Sequence, residues 1–444
     1  MAEITPFVPL FRQQFPQIHS IDDPIQLLDY TVDDRLPDIL MQPQTIEEAA
    51  RIVKFFHAQK LSVLPRGNGT HMSIGDLPAH INALLETTAF NHVLEHEAPD
   101  LTCRTEAGIT LAQLQAQLKN KGQRLALDPP NAETATIGGI LATNDSGPKR
   151  LRYGSARDQV IGLSVIQANG EISHSGGRVV KNVAGYDLNK LYIGSFGTLG
   201  IIVEANFKLY PLAPAERTLL FTFESIEDAM QATIGLTSST LAPSAIELLT
   251  LQGPKDASPF FAFSLPETGY TLAVNFENST IAMTRQINEA LKIAQTHHAF
   301  LREDLEGQEQ ERFWQMISLQ IQSALSCKIN LPVTRIAGLI DQVETICKHQ
   351  HLIANIVAHA GNGIAYVELG PYNAMSRIIT AITTLRNFAQ ANKGNLVLER
   401  CSTQLKQHLS VWGEPRADFD MMKRLKHQFD PDGVFVRGRY LGGL

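Results

Sequence analysis

The residues that could do chemistry gather around glycine. PRGNGT, residues 65–70, comes after the apolar run LSVL at 61–64 and sets Pro65, Arg66, Gly67, Asn68, Gly69 and Thr70 in one tight loop. Successive exposed N–H groups in such a loop form a nest suited to a pyrophosphate. The same residues would also make a plain strand-to-strand turn, so the loop gains specificity only from a second element further along the chain. ATIGGILATNDSGPKRLRYGSARDQVIG, from Ala135 to Gly162, couples Thr136 and the pair Gly138-Gly139 to Asn144, Gly147 and the triplet Arg152-Tyr153-Gly154. Paired glycines let a backbone pass close to a flat ligand, and Thr, Asn and Ser add short hydrogen bonds. Arg157 and Asp158 read more simply as an internal salt bridge holding a turn. GSFGTLGII then carries Gly194, Gly197 and Gly200. A Rossmann fingerprint must open a helix, because the helix N-terminus holds the pyrophosphate. Here IIVEANFKLY comes next and reads as strand, which rejects Rossmann binding, and no GxxxxGK[ST] phosphate loop occurs.

Helices and strands must position these loops. Thr45-Ile46-Glu47-Glu48 reads as a capping box opening a helix to about Lys60, and LSVL as a short buried strand. A second helix spans Thr110 to Lys121, with Gly122 where a left-handed terminating residue is expected. VIGLSVIQ and GIIVEANFKLY are strand-like. Beyond Pro211 and Pro214 strand and helix candidates alternate: LLFTFE, the capped SIEDAMQATIGL, TLAVNFE, and helices near 280–296 and 308–325. KINLP, a helix at 333–349, LIANIVAHA, IAYVEL, a helix near 374–392 and NLVLE complete the series. This order suits an antiparallel sheet with helices on one face. The tail carries a helix near 417–429, a turn at Asp430-Pro431-Asp432-Gly433 and a short end rich in Arg and Gly.

Composition narrows the function classes. A chain of 444 residues with 44% apolar and 19% charged residues is long enough for two or three domains and is neither disordered nor fibrous. The 38 Lys+Arg against 45 Asp+Glu leave a net charge of −7, which argues against a nucleic-acid binder working through a broad basic surface. Cys103, Cys327, Cys347 and Cys401 form no CxxC pair, so neither structural zinc nor a cysteine-ligated iron–sulfur cluster is expected within the chain. No secretory signal opens the sequence and no apolar stretch approaches the roughly 18 residues of a transmembrane helix, so a cytoplasmic location is expected. Glycine is uneven: 12 of the 63 residues from Gly138 to Gly200 are glycine, well above the usual share of about 7%.

PRGNGT, TIGG with NDSG and RYG, and GGRVVKNVAGYDLNKLYIGSFGTLGII together resemble the FAD-binding domain of the vanillyl-alcohol oxidase superfamily, the PCMH-type domain. Within it the chain looks most like glycolate oxidase FAD-binding subunits of the GlcE type, on the long signature at residues 181–200. The C-terminal VWGEPRADFDMMKRLKHQFDPDGVFVRGRYLGG is similar to the family ending, with Val436-Arg437 where Asn-Pro is usual before Gly438-Arg439. The resemblance implies an α+β protein: an N-terminal extension (1–34), a two-subdomain PCMH-type FAD-binding domain (35–213), an antiparallel, ferredoxin-like substrate or cap domain (214–400), and a C-terminal segment (401–444) returning to the FAD domain. Carried over by motif, residues 65–70 hold the FAD pyrophosphate. Thr136, Gly138, Gly139, Asn144 and Gly147 line a second pyrophosphate and ribose contact, Tyr153 and Gly154 join them, and the strand with Gly200, Ile202 and Val203 lies by the flavin ring. Thr70 stands where several members carry a histidine bonded to the flavin, and His71 is one position late, so the implied FAD is non-covalent.

Oxidation of a 2-hydroxy acid by flavin needs a cation for the carboxylate, a base for the hydroxyl proton and a hydride route to the flavin. The second domain offers Lys328 in CKINLP, His359 in AHAGNG and Arg400 after NLVLE. Each also has a plain reading, as edge charges or a hydrogen-bonded loop histidine. AHAGNGIAY resembles the HAGDGNLH metal loop of related 2-hydroxy-acid dehydrogenases, with Asn362 in place of the aspartate and Tyr366 in place of the second histidine, so no bound metal is expected. The resemblance implies an FAD-dependent oxidoreductase for glycolate or a related acid such as D-lactate. Electrons would pass to an acceptor other than oxygen, within a complex with a second flavoprotein subunit and an iron–sulfur subunit, attached peripherally to the inner membrane through those partners. The alternative is an FAD-holding, catalytically silent assembly subunit.

Overall fold

The computed structural model describes residues 6–177, 186–251, 263 and 269–444. Residues 178–185, at the start of the GlcE-type signature, lie outside the described residues. Two compact units emerge, one from the residues up to Ser146, Ser155–Leu212 and Glu414–Leu444, the other from Gly147–Gly154 and Ala213–Gly413. The chain therefore returns to the first unit beyond Arg400, at Glu414, and lends a short segment of the glycine-rich region to the second.

In the first unit Thr45 Oγ1 accepts from the Glu48 N–H at 3.2 Å and starts the helix Ile46–Gln59, which Lys60 ends in the left-handed region. Its apolar face, with Ile52, Val53 and Phe56, packs with Phe11 into one core against a sheet of β1 (His19–Ile21), β2 (Ile39–Gln42), β3 (Val63–Arg66) and β4 (Ala83–Glu86). Among the described residues its order is β1-β2-β4-β3, with β3 and β2 parallel to β4. The strand expected at LSVL thus starts and ends two residues later, at Arg66, and leaves only 67–70 as loop.

A second sheet, of order β5-β6-β10-β8-β9, uses β5 (Val93–Glu97), β6 (Thr102–Glu106), β8 (Val160–Ile166), β9 (Ile172–Gly176) and β10 (Ile201–Lys208); β7 (Gln123–Arg124) pairs separately with β11 (Tyr210–Pro211). The helix Leu111–Lys119 opens on a full capping box of Thr110 and Gln113. TIGG opens a further helix, Ile137–Thr143, where Thr136 Oγ1 accepts from the Gly139 N–H at 3.3 Å. A Cβ on Gly138 would lie 3.2 Å from the Ala107 side chain and carbonyl, tighter than an ordinary contact, so the glycine lets this helix sit close against the end of β6.

The second unit holds an antiparallel sheet of order β15-β12-β14-β13-β17-β18-β16-β19 among the described residues. Its strands are β12 (Ala215–Phe223), β13 (Ala245–Leu251), β14 (Tyr270–Asn278), β15 (Phe300–Leu305), β16 (Ser326–Asn330), β17 (Ile353–His359), β18 (Ile364–Gly370) and β19 (Asn395–Arg400). Two successive strand–helix–strand–strand–helix–strand halves build it. In each half the strands lie in the ferredoxin-like order 4-1-3-2, and the halves meet where β13 pairs β17.

Side chains alternate along every strand. Leu219, Phe221 and Phe223 of β12 enter a large core with the helices Ile226–Ser238, Thr280–Thr296, Ile336–Gln350 and Met375–Ala391. Leu220 joins Leu249, Ala273, Val357 and Tyr366 in a separate cluster on the opposite face, covered by Phe313, Ile317 and Ile321 of the helix Gly307–Ile321. The expectation of helices on one face is corrected: the helix between the two halves lies on the other face, because its apolar stripe matches the second set of alternating positions.

Candidate functional site

In the first unit a cleft opens at the end of β3. Pro65, Gly67, Asn68, Gly69 and Thr70 line it, and Thr136 and Gly139 face them. A Cβ on Gly67 would stand 2.2 Å from Thr136 Oγ1, and Gly69 has φ +79, so the loop can lie against the helix N-terminus only with glycines. Asn68 Nδ2 donates to the Thr134 carbonyl at 2.8 Å and holds the loop in place. This is a cradle that side chains would fill, rimmed by short polar groups, and it fits the phosphates and ring system of FAD.

Other expected cofactor residues stand elsewhere. Arg66 turns away from the cleft to Glu86, with Nη1 2.7 Å from Oε2, and covers the Tyr30 ring. Gly138 packs on Ala107, and Gly200 packs on Val165. Ile202 and Val203 are buried in the two cores of this unit. Asn144 ends the helix Ile137–Thr143 at φ +51, its Oδ1 accepting from the Arg157 N–H at 3.2 Å. Asp158 bonds the Ser155 N–H and hydroxyl, at 2.8 and 3.0 Å, so it caps a turn where an ion pair with Arg157 was expected. Gly147, Tyr153 and Gly154 belong to the second unit. The Tyr153 hydroxyl donates to Glu277 Oε2 at 2.7 Å, beside Lys149 Nζ at 2.6 Å from Oε1, and Glu277 is buried.

Three features of the cleft were not singled out as site residues from the sequence. His71 bonds Thr70 Oγ1 through Nδ1 at 2.9 Å and Asp145 Oδ2 through Nε2 at 2.9 Å, so both ring nitrogens are engaged. Its place beside the loop motif was the available signal. Phe196 lines the cleft at φ +55, a strained backbone for an aromatic residue, with its ring stacked on Tyr440 at 5.4 Å. Nothing in the residue type foretells that backbone. Arg439 also lines the cleft; Nη1 pairs with Asp33 at 3.0 Å and Nη2 donates to the Met72 and Ile74 carbonyls.

In the second unit His359, Tyr366 and Lys328 share the sheet face opposite the large core. His359 Nδ1 lies 2.7 and 2.8 Å from the two carboxylate oxygens of Glu247, and both side chains are buried. The Tyr366 ring stands 5.2 Å from the His359 ring, edge to face, and Lys328 Nζ lies 5.3 Å from the Tyr366 centroid. Lys328 pairs with Glu399 at 2.7 Å. Arg400 ends β19 opposite Ser326. Among the described residues no group of three His, Cys, Asp or Glu side chains converges, and the Tyr366 ring lies against His359 and Lys328.

A family model described as FAD binding domain matches residues 37–176, and one described as FAD linked oxidases, C-terminal domain, matches residues 212–440. The glycolate oxidase subunit GlcD of Bacillus subtilis (strain 168) is 26% identical over 91% of this chain and 89% of its own length. A D-lactate dehydrogenase of Archaeoglobus fulgidus is 36% identical over 48% of this chain and 47% of its own. Among solved structures, p-cresol methylhydroxylase with substrate bound superposes with a TM-score of 0.72 at 14% identity, over 95% of this chain and 93% of its own. The superfamily and the α+β fold read from the motifs are thus the right ones. The glycolate oxidase subunit among these relatives is GlcD, where the motifs pointed to GlcE.

Proposed function

Because the chain belongs to the FAD linked oxidases, we propose that it oxidises glycolate or a related 2-hydroxy acid such as D-lactate, passing the electrons to an acceptor other than oxygen. The observation that carries the reading is the glycine-built cleft at 65–70 and 136–139, in a chain similar along nine-tenths of its length to a glycolate oxidase subunit. When bound, FAD supplies the two-electron acceptor. The loop amides of 67–70 would hold its pyrophosphate, with Thr136 and Gly139 opposite. His71 has both ring nitrogens held in hydrogen bonds, to Thr70 and Asp145, which supports non-covalent binding. Acid precipitation should leave all flavin in the supernatant.

On the substrate side His359 is assigned as the base, with Lys328 and Arg400 as the cations for the carboxylate. Burial pushes the thiols of Cys103 and Cys327 up to about 12 and that of Cys347 to about 11, so these cysteines are poor cluster ligands. That supports electron exit to a separate iron–sulfur or flavoprotein subunit. No helix among the described residues is long and apolar enough to cross a membrane, and attachment at the inner membrane through such partners remains part of the proposal.

A second reading, a catalytically silent FAD-holding subunit, is favoured by one observation: Lys328 is already neutralised by Glu399 and His359 is sealed from solvent. Anaerobic mixing of the FAD-loaded protein with glycolate or D-lactate separates the two. Bleaching of the flavin absorbance is expected. Absence of bleaching with every 2-hydroxy acid, and activity that appears only when partner subunits are added, would leave the silent role.

A further inference from the structure

We infer that Glu247 is the positioning residue for His359, fixing its proton on Nδ1 so that Nε2 is left as the bare acceptor for the substrate's hydroxyl proton. The proton's origin rests on the 2-hydroxy-acid reading above; the positioning rests on the sheet alone.

The two residues come from different halves of the sheet. The register of β13 on β17 sets Glu247 directly opposite His359, with Leu249 opposite Val357 two residues along. A slip of one residue would send either side chain to the other face. The pairing therefore holds both on one face, 0% and 1% exposed. Both carboxylate oxygens lie within 2.8 Å of Nδ1. A single N–H shared between two oxygens produces that arrangement. A protonated carboxyl would turn its one hydroxyl to the ring and set its other oxygen against the same nitrogen lone pair. Burial pushes the Glu247 carboxyl up, and the hydrogen bond from His359 opposes that rise only in part.

The other nitrogen is the telling one. His359 Nε2 is buried and meets no hydrogen-bond partner. An unmet buried polar atom costs about 1–3 kcal/mol. With Nδ1 protonated, Nε2 carries a lone pair that can accept a proton. In the proposed step the substrate's O–H bond would break with its proton passing to Nε2 as the alcohol carbon becomes a carbonyl, and FAD, when bound, would supply the acceptor for the two electrons of the C2–H bond. The face is closed, so a substrate reaches Nε2 only when the groups covering it move aside.

The test uses the full chain loaded with FAD and labelled with ¹⁵N-histidine, with His359→Gln to assign the resonances. Glu247→Gln keeps an acceptor and loses the charge, whereas Glu247→Met fills the space and offers no acceptor. In the unsubstituted protein His359 should have a protonated Nδ1 and a bare Nε2. Glu247→Gln should keep that pattern and move the acid limb of the pH profile for anaerobic flavin reduction to lower pH. Glu247→Met should lose the pattern and slow reduction on the order of 100-fold. A proton on Nε2 in the unsubstituted protein, or reduction in Glu247→Met at the unsubstituted rate, would overturn the inference. Should Glu247→Met fail to fold, the tautomer and the Glu247→Gln profile still decide. If no 2-hydroxy acid reduces the flavin although Nδ1 carries the proton, the base role falls with the functional reading while the positioning stands.

Discussion

Gly67 and Gly69 illustrate how single atoms decide the cofactor loop. At Gly67 the constraint is space, since any Cβ meets Thr136 Oγ1, and at Gly69 it is backbone conformation at φ +79. Gly67→Ala should weaken FAD binding at least tenfold by pushing the loop off the helix N-terminus, read by titration of flavin fluorescence, while the circular dichroism of the fold is unchanged. Gly69→Val should lose flavin altogether and destabilise by about 1–2 kcal/mol for the left-handed backbone. Both glycines stood out in the sequence because they share one tight loop straight after an apolar run, although a plain turn would use the same residues. Tyr153 was not, since a tyrosine near a glycine motif reads the same whether its hydroxyl faces a ligand or, as here, the buried carboxylate of Glu277. Glu247 was missed for a related reason: AIELLTL is an apolar run with one carboxylate, and only the partner strand reveals what that carboxylate meets.

Elements with a cap or clear period were readable. The helix starting after Ser279 runs Thr280–Thr296 as the periodicity predicts, because its cap and its buried positions agree. The strands β13 and β15 were not anticipated; FLREDL in β15 sets exposed Phe300 and Leu301 side by side ahead of a run of charged residues, as an edge strand can. The helix Gly307–Ile321 was found in the sequence and its face was not, since a helical stripe says that something is covered and not which side of a sheet. Phe313, wholly buried and edge to face with Phe263 and Trp314, carries that contact. Phe313→Ala should cost about 3–5 kcal/mol in urea unfolding. The neighbouring exposed Leu319→Ala should cost little, as it is 62% exposed.

Across the whole molecule the tail is tied to the first unit. Asp430 accepts from the Val434 and Phe435 N–H groups at 2.7 and 3.0 Å and pairs with Lys426 at 2.6 Å, and Val434 and Val436 then bond Val63 of β3. Asp430→Ala should destabilise by about 3–5 kcal/mol, because it strands a buried ammonium, and should lower flavin content by loosening Arg439 from the cleft. The flavin bound per chain and a urea melt check both. The thiols give the pH dependence. Cys103 and Cys327, one in each unit, are buried with values near 12 against 9.0 for a free thiol. A raised value means that the unfolded chain ionises first, so stability is fully present below about pH 9 and falls as pH rises from there toward 12. The denaturation midpoint should drop over that window, and Cys327→Ala should flatten the drop.

The two ferredoxin-like halves also bear on the order in which the protein becomes itself. Each half is local in sequence, with strands that pair within about a hundred residues, and such contacts close early because their loops are short. The pairing of β13 with β17 spans from Glu247 to His359 and joins halves that are otherwise complete. The contact of His359 with Glu247 should therefore form after the pairings within each half. The protection of His359 from hydrogen exchange should appear after that of either half, making the candidate base a reporter of the final docking event in folding.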